Sequence, residues 1–249
     1  MNCKLISHIS FLCFSLMLSF SAYTKEPNWE AYEQLLQKYV SVKPIEGGTT
    51  HWVNYSKMKD DPLLLEVVKL IENYPTAELS NQKEKLSFYI NAYNILTIKM
   101  VVDKWPLKSI KNAGGFFTAV WHKKVGAIDN QMVSLHYLQN IILRKMKEPR
   151  IHFAVNCATI SAANLRLEAY TAEKLEQQLN EQTRLFLKDS YKGVQKKDNQ
   201  YHASKIFKWF KEDFQSAGSI TAYISQYYPI DKDQTILADI DYNWQLNGE

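Results

Sequence analysis

Cys157 stands in the run Arg150-Ile-His-Phe-Ala-Val-Asn-Cys-Ala-Thr-Ile-Ser161, with a histidine five residues before it and an asparagine next to it. A thiol in such company has two readings. As a nucleophile it would attack a carbonyl, with His152 or another histidine taking its proton and Asn156 or nearby backbone amides stabilising the oxyanion. As a packing residue it is simply small and apolar, which free cysteines often are. The small residues Ala158 to Ala163 allow a helix to start there, and a helix N-terminus would favour thiolate. His122, His136 and His202 are further candidate bases, since a base need not be local in sequence.

Asn91 and Asn94 are a second polar pair. They lie three apart on an otherwise apolar helical run, with Ser87 one turn earlier, and so share one face. Buried amides need partners, so this pair either ties a loop to the helix or lines a polar binding cleft. The chain shows no Gly-rich phosphate loop, no Gly-x-Ser-x-Gly elbow and no Asp/Glu dyad. It has no His or Cys pair at metal-ligand spacing, so no metal and no cofactor are expected.

The elements that position these residues follow from periodicity. Asp61-Pro62 reads as N-cap and first position of a helix over Leu63 to Ile71. Ser80 is a candidate cap for a longer helix through Val102, apolar round most of its circumference and therefore buried. Gly114-Gly115 marks a loop. Trp121 to Val125 and Gln131 to Val133 suggest a hairpin, and Ser134 caps a helix through Lys145. Ile151 to Val155 reads as a short apolar strand, which would put His152, Ala154 and Asn156 on one face. Thr171 caps a helix striped by Ala172, Leu175, Leu179 and Phe186. Lys192 to Asn199 reads as a solvated loop, Tyr201 to Ile206 as a strand, Phe207 to Phe214 and Ser219 to Tyr228 as helices, and Asp239 to Leu246 as a closing strand. Tyr242-Asn-Trp244 is expected to dock on the core. Helices outnumber short strands without βαβ alternation, which predicts an α+β fold: a single compact helix-rich domain with a small, mainly antiparallel sheet.

Composition sets the outer bounds. The chain has 249 residues with formal charge +4, too weak and too dispersed for a nucleic-acid partner. Lys4 followed by the apolar run Ile9 to Phe20, with Ser19 and Ser21 at the positions a peptidase reads, predicts a signal peptide over residues 1–21. That placement predicts a periplasmic or secreted protein with no membrane span after processing, and it removes Cys3 and Cys13. The remaining lone Cys157 cannot form an internal disulfide. Fifteen Tyr and six Trp either fill the core or form a sugar-binding platform, and core filling is the commoner use.

A set of ordered motifs adds a resemblance. These are Phe88-Tyr-Ile-Asn-Ala-Tyr-Asn94, Pro106-Leu-Lys-Ser-Ile110, Val133-Ser-Leu135, Ile142-Leu-Arg144, Pro149 to Ala158, Leu165-Arg166, Ala169-Tyr-Thr-Ala-Glu173, Ser204-Lys-Ile-Phe-Lys-Trp209 and Tyr242-Asn-Trp-Gln-Leu-Asn247. Together they resemble the DUF547 family over roughly residues 80 to 247. The resemblance implies a domain over 80–249, with 22–79 as a helical extension packed on it, and it implies no particular reaction. Members similar to this chain carry Glu-His where it has Gln139-Asn140, and a second cysteine followed by proline where it has Ala162-Ala163. Gln and Asn cannot serve as general bases. The resemblance therefore implies an exported protein that is either a non-catalytic or degenerate binder of a peptide, glycan or protein ligand, or a cysteine hydrolase or acyl-transfer enzyme resting on Cys157 and His152 alone.

Overall fold

The structure is a computed structural model that describes residues 26–113 and 120–249. The expected signal peptide with Cys3 and Cys13, and the Gly114-Gly115 loop, lie outside the described residues. About 48% helix and 18% strand in small sheets make it α+β, in one compact domain. Among the described residues no helix is long and apolar enough to cross a membrane.

The organising element is a 22-residue helix, Gln82–Asp103, preceded by three shorter ones. These are α1 (Glu30–Tyr39), α2 (Tyr55–Met58) and α3 (Pro62–Asn73), so the long helix is α4. In α3, Asp61 caps by accepting from Leu63 N, Pro62 fills the first turn, and Leu64, Val67, Val68 and Ile71 face inward. α4 is buried on all sides, as its apolar circumference predicts. Its cap is Asn81 rather than Ser80. Asn81 Oδ1 accepts from Glu84 N, and the Glu84 carboxylate accepts from Ser80 N and Oγ. Both residues suit an N-cap; the position of Glu84 three residues after Asn81 decides between them.

Three small sheets occur among the described residues. β1 (Val40–Ile45) and β2 (Gly48–Val53) form an antiparallel hairpin, so the stretch before residue 80 is not purely helical. β3 (Lys124–Ile128) and β4 (Gln131–Ser134) form a second hairpin, turning through Asp129-Asn130 in the left-handed region. The third sheet has the order β5-β6-β7. β5 (Val194–Lys197) pairs antiparallel with β6 (Gln200–Ser204), and β7 (Ile236–Ile240) pairs parallel with β6. The polar run over 192–199 is thus an edge strand and its Asp198-Asn199 turn, not a loop. An edge strand can be polar because little covers it.

The largest correction concerns Ile151 to Val155. This segment is a 3-10 helix, Pro149–Phe153, not a strand. Glu148 caps it by accepting from Arg150 N, and Pro149 occupies its first turn. Local start signals outweigh the β-branched residues here, and the shared face proposed for His152, Ala154 and Asn156 does not exist. Nor does a helix begin after Cys157. The chain turns through Ala158, whose φ is +58°, and α5 (Leu175–Lys188) starts much later. The segment after Ser134 is a π-helix, Tyr137–Leu143, closed by Arg144 N donating to Gln139 O. α6 is Ile206–Trp209 and α7 is Ile220–Ile224, capped by Ser219.

Two apolar clusters result. The larger surrounds α4, and the smaller joins Phe153, Phe186, Phe207, Phe214 and Tyr223. Beyond β7 the chain runs as a strap to residue 249, bridging Ser109 at Gln245, Thr159 at Leu246 and Val53 at Gly248.

Lys192 lies buried where the β1–β2 hairpin meets the end of α5. Its Nζ donates to Asn164 Oδ1 at 2.7 Å, with Asp189 Oδ2 at 4.0 Å. Burial pushes its pKa down to about 8 from 10.5. A folded pKa below the unfolded one means that the folded state binds fewer protons between the two values. Stability therefore rises with pH across that window, by on the order of 3 kcal/mol. Above pH 10 it falls, because burial holds the phenols of Tyr93 and Tyr242 protonated when unfolded ones ionise. Thermal melts between roughly pH 7 and 11 should pass through a maximum near pH 10, and Lys192→Met should flatten the rising limb. An unchanged limb would show that the buried ammonium is not its source.

Candidate functional site

Cys157 opens onto a cavity of about 210 Å³ at the junction of the two clusters. Tyr93 and Val155 come to its wall from the larger cluster, and Ala163 and Ile206 from the smaller. α4 supplies Tyr93. The π-helix supplies Gln139 and Asn140, and the turn before it His136. α6 supplies Trp209, and the C-terminal strap supplies Tyr242 and Trp244. His152 lines the same cavity, so the structure does unite the two residues singled out in the sequence.

Their chemical states differ from those of a nucleophile and its base. The thiol is at hydrogen-bond distance from the Tyr242 hydroxyl (3.2 Å) and the Thr159 hydroxyl (3.4 Å), which bond each other at 2.9 Å. Among the described residues no imidazole bonds the sulfur. Burial raises the thiol pKa above its usual 9.0, opposed by its hydrogen bonds to Thr159 and Tyr242. The phenols of Tyr55, Tyr93 and Tyr242 surround it, and no cation is among its influences. Burial outweighs the hydrogen bonds that favour thiolate.

His152 is held from its far side. Its Nε2 lies 2.7 Å from Asp213 Oδ2, and its ring stacks on Phe210 at 4.1 Å. Arg144 grips the same carboxylate with two bonds, Nε to Oδ2 at 2.6 Å and Nη2 to Oδ1 at 2.8 Å. Those partners hold the Asp213 pKa down at about 2 against the opposing effect of burial. The ionised carboxylate only accepts, so His152 carries its proton on Nε2. Burial lowers the pKa of His152, opposed by Asp213, and its buried Nδ1 has no hydrogen-bond partner among the described residues.

Asn156 is committed elsewhere. Its Oδ1 accepts from Ala158 N and its Nδ2 donates to Ala163 O, which shapes the turn that carries the thiol. Both bonds go to backbone groups, one at each end of the amide. Asn94 accepts from Asn156 N at 2.8 Å and donates to Ala154 O at 3.1 Å. Asn91 does the same with the backbone of Tyr170, at 2.9 and 2.8 Å. Both amides therefore tie loops to α4, and neither lines this cavity.

His122 and His136 are stacked at 4.0 Å on the cavity wall, while His202 bonds Asp239 away from it. Among the described residues no three His, Cys, Asp or Glu side chains converge as metal ligands. Sequence reasoning missed Asp213, Thr159 and Trp209. Asp213 lies 61 residues from His152 with no local signal, and only the need of a buried histidine for a counter-charge points to it.

The departures noted from sequence cluster tightly. Gln139, Asn140, Ala162 and Ala163 all line the cavity that holds Cys157 and His152. Asn140 donates to His136 O and accepts from Arg144, so its amide is built into the wall. Comparison with known proteins agrees with the motifs. Residues 76–187 match the family described as a protein of unknown function, DUF547. No curated protein and no solved structure matches. The matched stretch contains α4, the π-helix and the Cys157 turn, and it supports a DUF547 domain over residues 76–187.

Proposed function

We propose that this is an exported, non-catalytic DUF547 protein whose cavity binds an uncharged portion of an envelope ligand. One observation carries the reading: among the described residues the Cys157 thiol bonds two hydroxyls and no base or cation, in a cavity it shares with Gln139, Asn140 and Ala162. The walls are largely aromatic and the described lining holds no Asp, Glu, Lys or Arg, as suits a neutral ligand. Export rests on the pattern of Lys4, Ile9 to Phe20 and Ser21. The alternative, a Cys157-dependent hydrolase or acyl-transfer enzyme, draws support from the unpartnered Nδ1 of His152 in the same cavity.

Alkylation separates the two. Iodoacetamide labelling of the native protein from roughly pH 6 to 10, followed by mass spectrometry, should climb through the range without levelling off below about pH 9. A plateau below about pH 7 would establish an activated thiolate and end the non-catalytic reading. The intact mass of protein recovered from cells in the same experiment reports whether the first 21 residues have been removed.

A further inference from the structure

We infer that the ligand is a glycan, one neutral sugar ring of which enters the cavity while the next lies on Trp209; this rests on the binding reading above. The composition left two uses for the aromatic residues, and the structure divides them. Trp29 is core, whereas Trp121, Trp209 and Trp244 line the cavity. Trp209 is 45% exposed, a large apolar ring left in water. It packs beside Tyr242 and Trp244 at 5.0 and 5.6 Å, which fixes its plane. Lys111 Nζ sits 3.9 Å over Trp244 and occupies one face of that ring, so Trp209 is the open platform.

The polar groups complete the argument. Gln139 lines the cavity, and its amide makes no hydrogen bond within the described residues. Asn140 keeps spare capacity beyond its bonds to His136 O and Arg144. An amide both donates and accepts, and so does every sugar hydroxyl. A pyranose has apolar C–H faces and a rim of hydroxyls, which matches an aromatic platform flanked by amides. An aliphatic peptide side chain would cover the rings but leave these amides unpaired, at a cost. The described lining offers a charged ligand no Asp, Glu, Lys or Arg. The cavity is also smaller than the ~300 Å³ or more that drug-sized molecules occupy, and it suits a single ring of a chain.

The test is quenching of tryptophan fluorescence in the purified protein by chitohexaose, cellohexaose, maltohexaose and a neutral Ala-Leu hexapeptide, each to roughly 5 mM. At least one hexaose should quench saturably. Trp209→Ala should weaken it by about tenfold or more, Trp209→Phe by no more than about threefold, and Gln139→Ala by about threefold. Melting curves of the variants confirm folding, and rescue by Phe reports stacking rather than fold. Binding of the peptide alone would overturn the glycan inference and leave the binding reading standing. Hexaose binding that is indifferent to Trp209→Ala would overturn the placement of the sugar. No binding of any probe would overturn both readings.

Discussion

Asn94→Ala is expected to lower stability by about 2–6 kcal/mol, more than its size suggests. The side chain is buried and holds both the Asn156 N–H and the Ala154 carbonyl. Alanine leaves those two backbone groups unpaired inside the larger cluster, at roughly 1–3 kcal/mol each. The segment they anchor carries Val155 and Cys157, which are cavity wall. Native Cys157 should therefore become easier to alkylate in this variant. Asn91→Ala removes the equivalent clasp on Tyr170 and should cost a similar amount. Tyr170 does not line the cavity, so that variant should leave thiol accessibility near wild type. Urea denaturation and labelling of both variants check this. Equal thiol exposure in the two would mean that Asn94 is not what shapes the cavity floor.

Asp213→Ala is the second large effect, expected at about 3 kcal/mol. It leaves Arg144 and the buried His152 without their shared anion. The same centre sets the response to acid. Asp213 has its folded pKa depressed to about 2, so its contribution is present above its ordinary value of 3.8 and is lost as pH falls towards 2. The folded pKa of His152 is also depressed, below 6.5, so stability is lost as pH falls through that lower value. The wild type should thus lose stability in two acid stages. Asp213→Asn keeps the shape and should lose the stage below pH 3.8. Removing the carboxylate also lowers the pKa of His152 further, by taking away its favourable partner. Histidine NMR titration and melting curves down to about pH 2 measure both stages. A His152 pKa that rises in Asp213→Asn would overturn this assignment.

Much of the fold was legible wherever one local rule acted alone. The stripe of Leu64, Val67, Val68 and Ile71 after Asp61-Pro62 could only be a helix with one buried face, and so it is. The all-round apolar run from Leu86 to Val102 is the central helix for the same reason. Legibility failed where two rules competed. Ile151 to Val155 has the composition of a strand, but Glu148 and Pro149 start a tight helical turn. Lys192 to Asn199 is polar enough for a loop, yet β6 gives it a partner across the turn at Asp198-Asn199.

The site divides in the same way. His152, Asn156 and Cys157 were found because one short motif holds them, and Tyr242-Asn-Trp244 because its aromatic residues needed a surface to cover. The docking was expected, though the contact between the Tyr242 hydroxyl and the thiol was not. Asp213 could not be found, since a pairing across 61 residues leaves no trace in spacing. Asn91 and Asn94 were visible as a pair, but only the structure distinguishes tying a loop from facing a ligand.

The π-helix over Tyr137–Leu143 makes this cavity sensitive to the length of the chain as well as to its residues. A wide turn holds one residue more than an α-turn would. Deleting a single residue there lets the segment relax to α geometry and rotates its N-terminal side by about 100° relative to its C-terminal side. Gln139 and Asn140 would swing off the wall, and the exposed Tyr137 and Ile141 would shift with them. One lost codon would therefore remodel the wall while every remaining residue type stayed the same, a change of cavity shape that a catalogue of point substitutions would never sample.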